Sequence, residues 1–232
     1  MSDGENDRSL AGWWTRVRET FQGRVQTHLP GVPPFEEEAV HPSRTLRPFL
    51  DAMRDIDAPV IVDFGPVIGS NVTFLGEQLS CKLHVEDLYG DIDRLTRAGQ
   101  EDGLASFLST RLPYDPGSVD GVLAWDLFDY LQNAEAEALA RRLVTSLKPG
   151  GFVMALFSTV LTDDLSFRKY VIVDSDHLRH RRKPSVRRAK RVWLGRDVAR
   201  LLAPIEVAES HLLTHHQRET LLRQPLAGRK ER

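Results

Sequence analysis

Val60-Ile61-Val62-Asp63-Phe64-Gly65-Pro66-Val67-Ile68-Gly69 decides how this chain is read. Its first three residues are β-branched and uncharged, the signature of a parallel strand buried on both faces. The strand ends on an aspartate and runs into a Gly-Pro turn, with a second glycine four residues after the first. Open α/β sheets take their ligands at such strand ends. Glycine lets backbone N–H groups approach a ligand closely, and the helix that follows presents its N-terminus.

Outward from that stretch the chain alternates. Strands are predicted at Val60–Asp63, Lys82–Glu86, Leu104–Leu108, Val119–Trp125 and Gly151–Phe157, with helices at Asn71–Leu79 and Ala134–Leu147. Lys148-Pro149-Gly150-Gly151 is a strong helix stop. Two further strands, Ile205–Leu213 and Glu219–Arg223, are close enough to form an antiparallel hairpin. A short helix, Arg196–Leu202, precedes them, and Tyr170–Val173 and Leu178–His180 read as short connecting strands. The expected fold is α/β: a doubly wound, Rossmann-like, mostly parallel seven-stranded sheet with an antiparallel C-terminal hairpin, plus N-terminal helices.

N-terminal to this core, residues 1–9 read as a disordered tail. Leu10, Trp13, Trp14, Val17, Phe21 and Val25 recur at helical spacing, and a Pro-rich connector follows. A second helix is expected over Ser43–Ile56, capped by Ser43, with Leu46, Phe49, Leu50 and Met53 as its buried face. The expected organisation is a tail (1–9), an N-terminal helical cap (10–57) and a Rossmann-like domain (58–232) carrying a basic connecting insertion (162–194).

The 232 residues are 41% hydrophobic and 28% charged, ordinary values for a globular domain. One cysteine, Cys81, excludes an intramolecular disulfide and a cysteine-rich metal site, which fits a reducing cytoplasm. No secretion signal or membrane span is read. The net charge of −2 hides an asymmetry: from Arg179 onward fifteen Lys and Arg oppose five Asp and Glu. Arg179–Arg191 holds eight cations and no acid. This run is either a solvated face or a contact for an anionic substrate or partner. Nothing resembling an RNA-binding or zinc-finger signature accompanies it, so nucleic acid is not the expected partner.

The motifs also occur in a telling order. Lys82-Leu83-His84-Val85-Glu86 ends in an acid about twenty residues past Gly65, the spacing at which a carboxylate takes the hydroxyls of a bound ribose. Arg111-Leu112-Pro113-Tyr114 precedes the Val119 strand, Asp126 follows it, and Leu147-Lys148-Pro149-Gly150-Gly151-Phe152 opens the next. This ordered set, over Pro59–Phe157, resembles the class I S-adenosylmethionine-dependent methyltransferases, in particular the small methyltransferase-domain group. The resemblance implies S-adenosyl-L-methionine as cofactor and methyl transfer to a small or medium-sized acceptor. It implies that Asp63, Gly65 and Gly69 line the cofactor's methionine moiety, that Glu86 holds its ribose, and that Asp126 faces cofactor and acceptor. Tyr130 stands where many relatives carry a histidine.

Two departures matter. The family's middle glycine is Val67 here, preceded by Pro66, so a β-branched residue stands where close backbone approach is expected. Leu108 replaces the acid that often holds the adenine amino group, leaving Ser109 or backbone to substitute. These departures motivate the alternative of a catalytically inactive, methyltransferase-like binding or regulatory module. Methyl transfer needs a base only when the acceptor is protonated. By residue type the candidates are Asp129 and Tyr130, followed by His41 and His177. No metal site is expected, the pair His215-His216 having no neighbouring ligands.

Overall fold

The computed structural model describes residues 39–161, 167–183, 190–214 and 216–226. The aromatic-striped helix and Pro-rich connector predicted before residue 39 lie outside them, as does His215. The first element among the described residues is a short strand, β1 (Val40–Pro42), followed by helix α1 (Leu46–Arg54). Ser43 Oγ accepts the Leu46 N–H at 3.1 Å, and Pro48 sits in the first turn, where its missing N–H costs no helical bond. The predicted face Leu46, Phe49, Leu50 and Met53 is fully buried.

From here strands and helices alternate: β2 (Val60–Asp63), α2 (Gly69–Leu79), β3 (Lys82–Val85), α3 (Leu88–Arg97), α4 (Leu104–Thr110), β4 (Val119–Trp125), α5 (Asn133–Ser146) and β5 (Leu147–Ser158). The C-terminal part adds β6 (Phe167–Asp174), β7 (His177–Lys183), α6 (Gly195–Leu201), β8 (Glu206–Leu212) and β9 (Gln217–Arg223). The central sheet runs β3-β2-β4-β5-β9-β8. Its first four strands are parallel, and the β8–β9 hairpin closes the far side antiparallel.

Alternation along β2 and β4 sorts two cores. Ile61, Leu123 and Trp125 pack with α1 and α2 on one face. Val62, Val122 and Ala124 pack with α3, α4 and α5 on the other. The sheet is therefore covered on both sides, as a doubly wound arrangement requires. Gly121 in β4 makes room for α1. A Cβ there would meet Met53 Sδ at 2.7 Å and Phe49 Cζ at 2.8 Å, both on fully buried side chains. Gly121→Ala is accordingly expected to cost about 1–3 kcal/mol by overpacking, read as a lower denaturant midpoint with an unchanged slope.

Two expectations are corrected. The segment Leu104–Leu108, predicted as a strand, is helix α4, so the central sheet has six strands among the described residues and not seven. Leu104 and Leu108 are fully buried and Phe107 packs beside them, an i, i+3, i+4 spacing that satisfies one helical face. The apolar run is too short for composition alone to separate helix from strand. The second correction is a separate antiparallel sheet, β1-β7-β6. The sequence predicts β6 and β7 only as isolated connecting strands and gives no sign of β1. Tyr170, Ile172 and Leu178 from this small sheet belong to the same core as Trp125 and Leu75 of α2.

Candidate active site at the strand ends

Strand order reverses between β2 and β4, because the chain adds β3 on one side of β2 and then crosses to the other. Crevices at such a switch point, outside the carboxyl ends of the strands, are where this architecture receives ligands. The residues singled out from sequence converge there. Asp63 closes β2, and its Oδ1 accepts the Gly65 N–H at 2.7 Å, which shapes the turn. The same oxygen accepts the indole N–H of Trp125 at 2.6 Å. Burial pushes the Asp63 carboxyl up to about 6, although both hydrogen bonds pull the other way.

Gly65 is required by close approach. A Cβ on it would lie 2.9 Å from Trp125 Nε1 and 3.0 Å from Asp63 Oδ1. The backbone then ties the turn to the end of β3: Glu86 N–H donates to Asp63 O at 2.8 Å, and Asp87 N–H to Gly65 O at 3.2 Å. The glycine turn and the Glu86 carboxylate are thus neighbours by backbone pairing. Gly69 opens α2 on the exposed side. Nothing lies within 4 Å of where its Cβ would stand, so no steric need for glycine arises there. Val67 is 58% exposed and is not among the residues with positive φ. The backbone strain that its β-branched side chain would create at a glycine position does not arise.

Glu86 has partners that the sequence did not announce. Arg111 Nη1 donates to Oε2 and the Tyr114 hydroxyl to Oε1. Arg111 also donates through Nη2 to the Glu86 carbonyl and through Nε to Asp91 Oδ2, each at 2.7 Å. Ser109, the expected substitute for the adenine acid, is exposed on α4 and donates its hydroxyl to Ser106 O at 2.6 Å.

Beyond β4 stand two buried carboxylates, Asp126 just before a 3-10 turn (Leu127–Tyr130) and Asp129 within it. Asp126 accepts from Tyr89 at 2.7 Å and from Tyr130 at 3.4 Å, and Tyr170 is a third phenol hydrogen-bonded to it. Burial, and then the charge of Asp126, holds all three phenols well above their ordinary range, so they remain neutral donors. Asp129 Oδ2 accepts the Ser158 N–H at 2.8 Å. Its Oδ1 is buried with no hydrogen-bond partner among the described residues. Burial and the neighbouring Asp126 push its carboxyl up to about 7, against the opposing pull of Ser158 and Lys190.

A stacked aromatic pair stands at the end of β4. The Tyr170 ring stacks on Trp125, with centroids 5.2 Å apart and planes 3° from parallel. Strand β6 is fixed there by Asn71 in the first turn of α2, whose side chain donates to Tyr170 O and accepts from Ile172 N, both at 2.8 Å. Part of the basic run reaches the site as well. Lys190 is buried, 4.9 Å from the Tyr130 ring centroid, and Arg191 lies over Trp193. The histidine candidates stand further out. His41 packs against His180, which packs against Tyr170, while His177 pairs with Asp174 on the exposed β6–β7 turn.

Tyr89, Arg111, Tyr114 and Tyr170 are the site residues that sequence reading missed. Only Arg111 and Tyr114 carried a signal, their place in the Arg-Leu-Pro-Tyr motif. Among the described residues no group of three or more His, Cys, Asp or Glu side chains is placed to hold a metal ion. Nor is any helix among them long and apolar enough to cross a membrane.

No protein-family model matches the chain, and no curated protein matches it. Among solved structures, it is similar to an S-adenosylmethionine-dependent methyltransferase from Mesorhizobium loti (15% identity, TM-score 0.49, covering 76% of this chain and 96% of that one). It is similar to the Burkholderia thailandensis 1,6-didemethyltoxoflavin-N1-methyltransferase with bound 1,6-didemethyltoxoflavin and S-adenosylhomocysteine (15% identity, TM-score 0.47, covering 94% and 86%). It is also similar to the pyocyanin biosynthetic protein PhzM (17% identity, TM-score 0.41), covering 76% of this chain and about half, 54%, of that one.

Proposed function

We propose that this chain is an S-adenosyl-L-methionine-dependent methyltransferase acting in the cytoplasm on a small or medium-sized acceptor. One observation carries the reading: the Gly65 turn, Glu86 and the buried Asp126 follow the carboxyl ends of the neighbouring strands β2, β3 and β4, at the switch point of a doubly wound sheet. The residues present fit a nucleoside-bearing cofactor. Glu86 stands at the end of the strand beside the Gly65 turn, where a carboxylate accepts from a ribose, and the missing Cβ of Gly65 leaves room for Trp125 and Asp63.

The bound cofactor supplies an electrophilic methyl group on a sulfonium, and the protein supplies position and a dry site. Glu86 holds the ribose, while Asp63 and Gly65 shape the wall beside the methionine moiety. Gly69 starts the helix whose N-terminus faces the same loop. Asp126 fixes Tyr89 and Tyr130 against the acceptor side. Where the acceptor carries a proton, Asp129 is the better acceptor for it, since its Oδ1 has no hydrogen-bond partner among the described residues and burial pushes its carboxyl up to about 7. Tyr130, already donating to Asp126, is a poor base. Lys190 and its basic neighbours favour an anionic acceptor.

Isothermal titration with S-adenosylhomocysteine tests this reading. Wild-type protein is expected to bind in the micromolar range, and Glu86→Ala to weaken binding roughly tenfold or more, the worth of hydrogen bonds to a charged group. No heat of binding at millimolar ligand sinks it.

A second reading, a catalytically silent binding or regulatory module, is favoured by Asp63, whose Oδ1 is already engaged by the Gly65 N–H and by the indole of the stacked Trp125. It expects either no cofactor binding, or binding with no methyl transfer to any of a panel of phenol, amine and carboxylate acceptors.

A further inference from the structure

We infer that Tyr114 and Arg111 are positioning residues that aim the Glu86 carboxylate at a ribose diol and so give the site its preference for ribonucleosides over 2′-deoxyribonucleosides. This rests on the reading of the strand-end crevice as a nucleoside site.

The arrangement is a clamp built from several directions. Arg111 leaves α4 at its C-terminal end, and its guanidinium is held on the far side by Asp91 of α3. Nη2 grips the backbone carbonyl of Glu86 while Nη1 grips its carboxylate. A guanidinium that holds both the backbone and the side chain of one residue fixes that side chain's rotamer, and its planar fork makes the geometry specific. Tyr114 secures the second carboxylate oxygen from the opposite end of the same loop, and its ring packs edge-on against His84 of β3, with centroids 5.2 Å apart. Burial and the bond to Glu86 hold the Tyr114 phenol above its ordinary range, so it acts as a donor throughout the physiological pH range.

The clamp does not exhaust Glu86. A carboxylate offers about four lone-pair directions, and two side-chain donors leave about two for a ligand. The Glu86 side chain retains 12% exposure, so those directions are reachable. Without the clamp, a glutamate with three rotatable bonds would lose rotamer entropy on capturing a diol. With it, that cost is met on folding and the two remaining lone pairs are preset. Fixing an acceptor before the ligand arrives strengthens the contacts made to that acceptor alone. The effect should therefore appear only with ligands that carry both hydroxyls.

The test compares 5′-methylthioadenosine with its 2′-deoxy counterpart by isothermal titration, using the full chain. Wild type is expected to prefer the ribose form by roughly tenfold. Tyr114→Phe and Arg111→Lys are each expected to cut that preference about threefold or more, leaving affinity for the 2′-deoxy probe within about twofold. Tyr114→Phe removes one hydroxyl from a half-buried ring, so it remains informative even if Arg111→Lys fails to fold. Unchanged preference in both variants overturns the inference while the nucleoside site stands. Equal losses for both probes also overturn it, since the pair is then structural only. Wild type binding neither probe overturns the underlying reading, and the inference with it.

Discussion

Asp126→Leu is expected to lower the melting temperature by about 10 °C, the consequence of losing about 4 kcal/mol in a chain of this size. The Asp126 carboxylate is fully buried and serves Tyr89, Tyr130 and Tyr170 together. Leucine keeps the branched skeleton but is bulkier and cannot accept a hydrogen bond. Each stranded phenol then bears a desolvation penalty of about 1–3 kcal/mol. Tyr170 loses least, because its hydroxyl keeps the Gln217 amide as a partner at 2.9 Å. Tyr89, closest to the carboxylate, loses most. Adding Tyr89→Phe to Asp126→Leu should therefore recover part of the loss, although Tyr89→Phe alone destabilises. That sign reversal is the specific signature, and differential scanning calorimetry of the double-mutant cycle reads it. A fall of less than about 2 °C for Asp126→Leu would count against the network as a stabilising unit.

The second large effect is a pH dependence at Asp129. Its carboxyl is pushed up to about 7, from an ordinary value of 3.8, chiefly by burial and next by Asp126. A raised folded-state value means that the folded protein holds the proton more tightly than the unfolded chain. The associated stability is fully present below about pH 4 and is lost as pH rises through about 7. Three units correspond to on the order of 4 kcal/mol across that window. Asparagine keeps an acceptor for the Ser158 N–H and removes the titration. Asp129→Asn is thus expected to gain on wild type between pH 5 and about pH 7, by several degrees in melting temperature, and to gain little more above that. Asp63, pushed up to about 6 with the same sign, leaves both proteins a shared residual slope. Parallel melting profiles for the two proteins over this range would overturn the assignment. If Asp129 also receives the acceptor's proton, the same variant loses turnover with protonated acceptors while keeping its cofactor affinity.

Particular elements show how much could be read from sequence. Val60–Asp63 and Val119–Trp125 were legible to the residue, because the short apolar runs Val60–Val62 and Val122–Trp125, bounded by turns, have one economical solution in a covered parallel sheet. The stop at Lys148-Pro149-Gly150 and the β8–β9 hairpin were legible for equally local reasons. Leu104–Leu108 was not, since five residues with three large apolar side chains satisfy either period. The packing of α4 against α5 settles it. Asp63, Gly65, Glu86 and Asp126 stand at strand ends, each closing its strand or following it within two residues, which is why a local pattern could find them. The strain expected at Val67 is absent, since its φ is not positive, and Gly69 meets no steric demand of its own fold.

What the sequence determined by itself is the order of elements and the edge of the sheet where polar residues gather, since periodicity, caps and turns act over a few residues. What only the tertiary structure decided is who meets whom across that edge. Trp125 reaches Asp63 over 62 positions, Tyr114 reaches Glu86 over 28, and Asn71 reaches Tyr170 over 99. Such pairings depend on strand order, helix rotation and the direction of each side chain, which no local pattern encodes. The Val60–Gly69 stretch thus set the fold, and the side chains brought to it from far along the chain set the character of the site.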